Sequence, residues 1–468
     1  MTGRPPSYEE LLELVQQQQR QIEALTAENA RLRSELDEAR RAAKRQAAPF
    51  RKGPPKPNPK RPGRKAGDQH GQHGQRPPPP PDQIDQIDEV HEAVLPDVCP
   101  HCSGRLVETD LDQQYQTEIP RQPIRRQFNI HIGQCQKCGC RVQGRHPLQT
   151  SDALGAAASQ VGPDAQAAVV NLNKQAGLSH GKVANVMETL FGIDLTRGAS
   201  AQIVLRAAER LEPAYQEILE ATADAERLSV DETGWRVGGQ SAWLHVWVSE
   251  QATCYQVDPR RSADALEEVI GLDWDGVLVH DGYSSCGRFE EALHQQCVPP
   301  LLRRAREMLD GATRGAVRFP RQVIELFTGA VHLRNEYLAG RVSPAEWETA
   351  RDDYELRLVP LLCRRRVGAN QTLANHIHRH VAEWFLFLTD ASVPSSNWQA
   401  EQAIRPAVVN RKVWGGNRTE SGAKAQGILS SVWQTCKKQA KAALDFVSQT
   451  LRAFGHRLLP TPILLGTR

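Results

Sequence analysis

Leu228-Ser-Val-Asp231-Glu-Thr233 and Gly276-Val-Leu-Val-His-Asp281-Gly-Tyr283 decide how this 468-residue chain is read. Each is a short apolar run that ends in an acid. Between them, Trp243-Leu-His-Val-Trp-Val248 and Thr253-Cys-Tyr-Gln-Val257 alternate at the period of a strand. The pattern predicts three antiparallel strands and then another, with Asp231 and Asp281 on neighbouring strands and their carboxylates close together. Two carboxylates meeting at the edge of a core are costly unless a cation is bound. Magnesium suits oxygen ligands of this kind, and a two-metal site needs a third oxygen donor.

The third donor is expected at Glu401, in Ser395-Ser-Asn-Trp-Gln-Ala-Glu401-Gln-Ala-Ile-Arg405-Pro406. Asn397, Glu401 and Arg405 recur at i, i+4 and i+8 and so share one helical face. Pro406 is expected to end that helix. Arg411-Lys412 and Gly415-Gly416-Asn417-Arg418 then read as a basic, glycine-bearing loop suited to phosphate. Trp235, Trp398 and Trp414 suit stacking on unpaired bases, although core packing is the default for tryptophan.

Toward the N-terminus, residues 150–226 read as wholly helical, broken at Gly177-Leu-Ser179, Gly192 and Gly198. Short helices joined by glycine-containing turns fit a helix-turn-helix and equally a small bundle. Ahead of them stand Cys99-Pro-His-Cys102 and Cys135-Gln-Lys-Cys138. Each pair can lend two thiolates to one tetrahedral zinc, closed and structural. The alternating Phe128-Asn-Ile-His-Ile132 is expected to be a hairpin strand that brings the knuckles together, with Cys140, His101 and His131 as spare ligands. Two unrelated pairs of reduced thiols are the plainer alternative.

From Arg40 to Gly67 there are eleven Lys and Arg and no Asp or Glu, interleaved with proline. Such a segment buries no apolar surface and reads as an extended linker. Its charge, including Arg61, Arg64 and Lys65, suits nonspecific contact with a phosphate backbone. Residues 7–42 read as one long helix started by Ser7 and Glu10 at capping-box spacing. Tyr8, Val15, Ile22, Asn29 and Leu36, with Leu11, Gln18, Leu25 and Leu32, form a heptad seam. That predicts a homo-oligomeric coiled coil, with Asn29 as a register-setting polar position.

Composition bounds the class. Hydrophobic residues make up 40% of the chain and charged residues 24%, which excludes disorder throughout. No stretch approaches the roughly 20 apolar residues of a membrane span, and the start, MTGRPPSYEE, lacks a signal peptide's apolar region. No membrane partner and a cytoplasmic location are expected. In that reducing compartment the two CxxC pairs, four of the ten cysteines, favour metal over disulfides.

The motifs DET-x-W (231–235), HDGY (280–283) and NWQAEQAIRP followed by RKVWGG resemble those of transposases of the insertion sequence 66 family. The resemblance covers nearly the whole chain. It implies a multidomain α+β protein: a coiled-coil helix (1–48), a basic Pro-rich linker (49–92), a zinc-ribbon-like module (93–149) and a helical DNA-binding segment (150–226). A ribonuclease-H-like catalytic core (227–455) would follow, with a helical insertion at about 291–393, and then a tail (456–468). Residue by residue, Asp231, Asp281 and Glu401 match the family's acidic triad. The implied activity is cleavage and strand transfer of an insertion sequence's DNA, with Mg²⁺ or Mn²⁺ at the triad and structural Zn²⁺. Double-stranded DNA, both element ends and target, is the implied partner, alongside any companion proteins of the element. Arg405, Arg411, Lys412 and Arg418 would position its backbone.

Two departures from the family pattern bear on activity. The family's Cys-Trp-Ala-His-Leu corresponds to Cys297-Val-Pro-Pro300-Leu here, so Pro300 replaces the histidine and prolines are expected to interrupt any helix beginning there. Asn-Asn before the glutamate is Asn397-Trp398. These departures keep a second reading open: a transposase-derived, noncatalytic DNA-binding protein. A structure-specific nuclease of the same fold is a third, and it would need neither the coil nor the zinc module.

Overall fold

The computed structural model describes residues 161–453 except 283 and 312–313, together with 463–465. It also describes most of 123–149, a helical stretch within 16–32, and short pieces between 90 and 160. The chain divides into two compact units, 1–120 and 121–468. In the first, residues 16–29 and 31–32 are helical, and the seam residues Ile22, Leu25 and Leu32 are 57%, 58% and 50% exposed in the single chain. The remainder of the expected 7–42 helix, the basic linker with Arg61, Arg64 and Lys65, and Cys99 lie outside the described residues. So does most of the 456–468 tail.

The second unit opens with a small antiparallel hairpin, β1 (Ile132–Gln134) and β2 (Arg141–Gln143). The strand expected from Phe128 is shorter than its alternation suggests. Gly144 N–H donates to the His131 carbonyl, and residues 128–131 join no ladder.

Four helices follow: α1 (Pro163–Lys174), α2 (His180–Phe191), α3 (Arg197–Arg210) and α4 (Glu212–Ala223). The first helix begins at Pro163 rather than at 150. Pro163 sits at its N-terminus, where a missing N–H costs nothing. Gly192 ends α2 in the left-handed conformation. Gly198, expected to be a break, lies inside the first turn of α3, which starts from Thr196 as its side chain accepts the Ala199 N–H.

The sheet consists of β3 (Arg227–Val237), β4 (Gln240–Val248), β5 (Thr253–Asp258), β6 (Val277–His280) and β7 (Leu293–Gln296). Its spatial order is β5-β4-β3-β6-β7. The first three strands form an antiparallel meander, β6 runs parallel to β3, and β7 parallel to β6. Gly238 and Gly239, with φ of 57° and 84°, make the two-residue turn between β3 and β4. That positive φ pair matches the twist of a tight hairpin. A short helix, α5 (Asp264–Ile270), lies between β5 and β6 in sequence.

β7 corrects one expectation. The sequence places the start of the helical insertion at about 291, yet 293–296 complete the sheet. The helices of the insertion start one residue after Cys297: α6 (Val298–Gly311), α7 (Arg318–Leu338), α8 (Pro344–Cys363), α9 (Gly368–Arg379) and α10 (Leu386–Thr389). They enclose a core of their own, built around Val298, Leu301, Phe327 and Trp384, which reaches the sheet at Val279. Pro299 and Pro300 do not interrupt α6. They occupy its first turn, where backbone N–H groups have no partner within the helix.

The chain closes with α11 (Trp398–Trp414), α12 (Glu420–Lys438) and α13 (Ala443–Ala453). Helices α1–α4, α12 and α13 share one buried cluster with Leu228, Val230, Trp247 and Leu278 of the sheet. A second cluster sets Ala400, Ile404 and Ala407 of α11 against Trp235, Leu244, Val246 and Tyr255. Leu228, Leu244 and Leu278 are fully buried, each contributing about 1.5–3 kcal/mol. The alternation along β4, Leu244 and Val246 against Trp247, is what divides the strand between the two clusters. Among the described residues no helix is long and apolar enough to cross a membrane.

Candidate active site

The three acids predicted from sequence stand on three elements that the core packs together. Asp231 is in β3 and Asp281 directly follows β6. The β3–β6 ladder ends at the pair Ser229 and Val279, so both aspartates lie two residues beyond it, at matching positions on parallel strands. Glu401 is in the first turn of α11.

Their electrostatics are coupled. Asp231 is partly buried, and its carboxyl is pushed up to about 7. Burial is the main cause, followed by the charge of Asp281. The Glu232 N–H, which donates to Oδ1 at 2.8 Å, pulls the other way, and Glu232 and Glu401 push it up further. Asp281 and Glu401 are themselves exposed. Among the described residues, however, no three His, Cys, Asp or Glu side chains are close enough to hold a metal ion as they stand. The donor chemistry fits a hard divalent cation: carboxylate oxygens that repel one another, one of them reluctant to ionise.

Glu232 points elsewhere. Arg261 donates to its Oε1 through Nε at 3.0 Å and Nη2 at 2.6 Å, and the guanidinium lies 4.7 Å from the Trp243 ring centre. That pairing separates Glu232 from the predicted triad.

A chain of histidines supports the turn that carries Asp281. Gly282 N–H donates to Nδ1 of His280 at 3.2 Å, which leaves the neutral ring's proton on Nε2. Nε2 then donates to Nδ1 of His294 at 3.1 Å, and His294 Nε2 donates to the Phe289 carbonyl at 3.0 Å. Burial above all, and then the neighbouring His294, lower His280 to about 4, so the ring stays neutral as this chain of donors requires. Sequence reading quoted His280 in HDGY but gave neither histidine a role. The only signal available was the position of His280 beside Asp281.

The expected basic loop is built differently from its reading. Pro406 does not end α11, which runs to Trp414 with the proline inside. The carbonyl that Pro406 leaves without a helical donor is that of Gln402, four residues back; the Tyr255 hydroxyl donates at 2.6 Å to the next one, the Ala403 carbonyl. Arg411 and Lys412 therefore sit in the last turn of the helix, and the loop is confined to 415–418. Arg411 is turned toward the sheet, its Nη1 donating to Thr233 at 3.1 Å. Burial lowers its pKa from the ordinary value. Arg405, Lys412 and Arg418 are exposed. Trp235 is buried and packs edge-on against Trp414 at 5.9 Å, whereas Trp398, beside the acids, is 51% exposed.

The second cysteine knuckle forms the turn between β1 and β2. Cys135 N–H donates to the Cys140 carbonyl and Gly139 N–H to the Cys135 carbonyl, both at 2.8 Å. The backbone of Cys140, then the thiols of Cys140 and Cys135, hold the Cys138 thiol below its ordinary value. Cys102 of the first unit is exposed beside Ser103, whose φ is 57°. The fourth expected zinc ligand, Cys99, is outside the described residues.

Residues 158–425 match the family described as Transposase IS66 family, and the chain belongs to it. The match takes in Asp231, Asp281 and Glu401 and begins after both cysteine knuckles. The chain is also similar to an uncharacterized protein of Sinorhizobium fredii, y4qI, with 24% identity over 293 residues. That similarity covers 56% of this chain and 53% of the relative, so the chain spans about half the length of the curated relative it matches.

Proposed function

We propose that the protein is a DNA transposase that cleaves element ends and joins them to target DNA. Asp231, Asp281 and Glu401 are its divalent-metal ligands, with Mg²⁺ or Mn²⁺ the ion. The observation that carries this reading is that the charges of Asp281 and Glu401 both act on the Asp231 carboxyl, with each aspartate two residues beyond the last β3–β6 pair and Glu401 in the first turn of α11. Ligands of open α/β sheets bind at the carboxyl ends of strands. The strand order β5-β4-β3-β6-β7 supports a ribonuclease-H-like core.

When bound, divalent metal supplies an activated nucleophile and neutralises charge on the phosphate under attack. The chain's own residues do the rest. Asp231, Asp281 and Glu401 hold and space the negative charge that attracts the ions. Exposed Arg405 and Lys412 on α11, with exposed Arg418 in the loop that follows it, steer the DNA backbone. Arg411, tied to Thr233, orients α11 on β3 in addition to any phosphate contact. Zinc shared by Cys99, Cys102, Cys135 and Cys138, and pairing of chains through the 7–42 helix, complete the reading, together with a cytoplasmic location beside the DNA substrate.

One observation favours a second reading, a transposase-derived DNA-binding protein without catalysis: the acids as they stand are not gathered to metal-holding distance. Asp281→Asn separates the two. In the first reading it abolishes Mg²⁺- or Mn²⁺-dependent cleavage of element-end DNA and leaves DNA affinity within about twofold, since binding rests on phosphate contacts made elsewhere. The catalytic reading fails if wild type and Pro300→His both bind end DNA yet neither cuts it with either metal.

A further inference from the structure

Asn397 stands immediately before α11, where an asparagine ordinarily turns its side chain onto the helix's own first N–H groups. It does not do so here. Its side chain is fully buried and reaches away from the helix, Nδ2 donating at 2.7 Å to the carbonyl of Val230, the residue before Asp231. Its Oδ1 is buried without a hydrogen-bond partner. The helix start thus gives up a cap, and a buried acceptor is left unmet, for one contact to β3.

The backbone of the same residue is tied to a second segment. Asn397 N–H donates to the thiol of Cys297 at 3.1 Å, and Val298 N–H donates to the Ser395 carbonyl at 3.0 Å. Cys297 in turn donates its own N–H at 2.8 Å to the carbonyl of His280, the residue before Asp281. The Asn397 carbonyl accepts the N–H of Glu401 at 3.1 Å. One buried side chain and one buried thiol therefore connect the residue before each aspartate with the turn that bears the glutamate. Burial, and after it the Asn397 N–H and the charges of Glu401, Asp281 and Asp231, all act on the Cys297 thiol, which lies behind the acidic site.

We propose that Asn397 is a positioning residue for the acidic site: held by Val230 and Cys297, it sets how far Glu401 stands from Asp231 and Asp281, and through that spacing the affinity for divalent cation. The proposal rests on the catalytic reading above. Groups one step behind metal ligands commonly change metal affinity or activity by about 10–100-fold when removed.

The test uses the full chain, Mn²⁺ titrated calorimetrically as the probe, and element-end DNA as substrate. Asn397→Asp keeps the shape but loses the donor to Val230. It should weaken Mn²⁺ binding by at least about tenfold and lower kcat by a similar factor. The KM for DNA, and DNA binding without metal, should stay within about twofold, because phosphate contacts lie elsewhere. Asn397→Ser, whose hydroxyl can still donate, should fall between that variant and wild type. A purely structural role would lower the unfolding midpoint yet leave Mn²⁺ affinity per folded molecule unchanged, and that result overturns the proposal. Should Asn397→Asp not fold, Cys297→Ala carries the same test: it removes the thiol acceptor and should weaken Mn²⁺ binding severalfold, while unchanged binding overturns the proposal. A wild type that neither binds Mn²⁺ nor cuts DNA instead overturns the catalytic reading itself.

Discussion

The indole N–H of Trp235 donates to Oδ1 of Asn417 at 2.7 Å, joining the end of β3 to the loop that follows α11. Asn417 also donates its N–H to the Arg236 carbonyl at 2.8 Å and accepts the Gly238 N–H at 2.9 Å. Its side-chain amide donates to the Gly422 carbonyl at 2.9 Å. The strand that carries Asp231 and the helix that carries Glu401 are thus pinned together at the end away from the acids, while Asn397 joins them near the acids.

That clasp requires Gly416. Its φ is +113°, and a Cβ there would stand 2.4 Å from the Arg236 carbonyl oxygen. Gly416→Ala should destabilise the second unit by about 2–3 kcal/mol, the usual scale for backbone strain forced at one position. Urea unfolding followed by tryptophan fluorescence measures it. An unchanged midpoint would mean that the loop can leave β3 at no cost.

Stability of the metal-free protein should depend on pH through Asp231, whose carboxyl is raised to about 7 by burial and then by Asp281. A carboxyl raised on folding stabilises the fold fully below its unfolded value of about 4, and that contribution is lost as pH rises through about 7. EDTA-treated wild type should therefore lose stability between about pH 5 and about pH 8. Asp231→Asn should lack this component and be the more stable protein at about pH 8, by roughly 1–2 kcal/mol after allowing for partial exposure. Parallel unfolding curves at the two pH values would show that Asp231 does not titrate in this range. Added Mn²⁺ should restore the wild type at the higher pH and leave the variant unaffected.

Protein purified without added zinc should contain about one zinc per chain, the stoichiometry of a closed four-thiolate site. Cys135→Ser should lose it, as measured by metal analysis after dialysis. Full occupancy in that variant would transfer the ligand role to Cys140, whose thiol already acts on Cys138.

Trp398 is 51% exposed at the start of the helix that bears Glu401. Trp398→Ala should weaken binding to end DNA with unpaired bases at the cleavage point by about 1–3 kcal/mol, the range for one stacked base. Fully paired DNA should bind nearly as before. Equal losses on both substrates in a competition assay would assign Trp398 a packing role instead.

That Asp231 falls in a strand, that Asp281 follows one and that Glu401 lies on a helix was legible in the sequence, because each follows a local pattern: two apolar runs that lead into an acid, and a helical spacing. The meander of β3, β4 and β5 was legible for the same reason, since alternation is a property of neighbours in the chain. β7 was not. Leu293-His-Gln-Gln296 has no alternation, and its Gln295 and Gln296 are buried because distant residues satisfy them. Gln295 accepts from Phe387 N–H, and Gln296 bonds to His380 and Glu383.

Pro406 shows the same limit from the other side. Read locally, a proline ends a helix, yet α11 continues to Trp414, its Ala400, Ile404 and Ala407 packed against the sheet on both sides of Pro406. Pro299 and Pro300 likewise read as breakers in the sequence, and their position in a first turn makes them starters. The sequence by itself determined which residues are acidic, apolar or turn-forming, and hence the family motifs and the order of elements. Only the tertiary structure decided that Asp231 and Asp281 share a register, that Arg411 faces Thr233, and that Asn397 reaches Val230. Those relationships join residues from about 50 to nearly 180 positions apart, and their energies come from burial and hydrogen bonding between elements that no local pattern encodes.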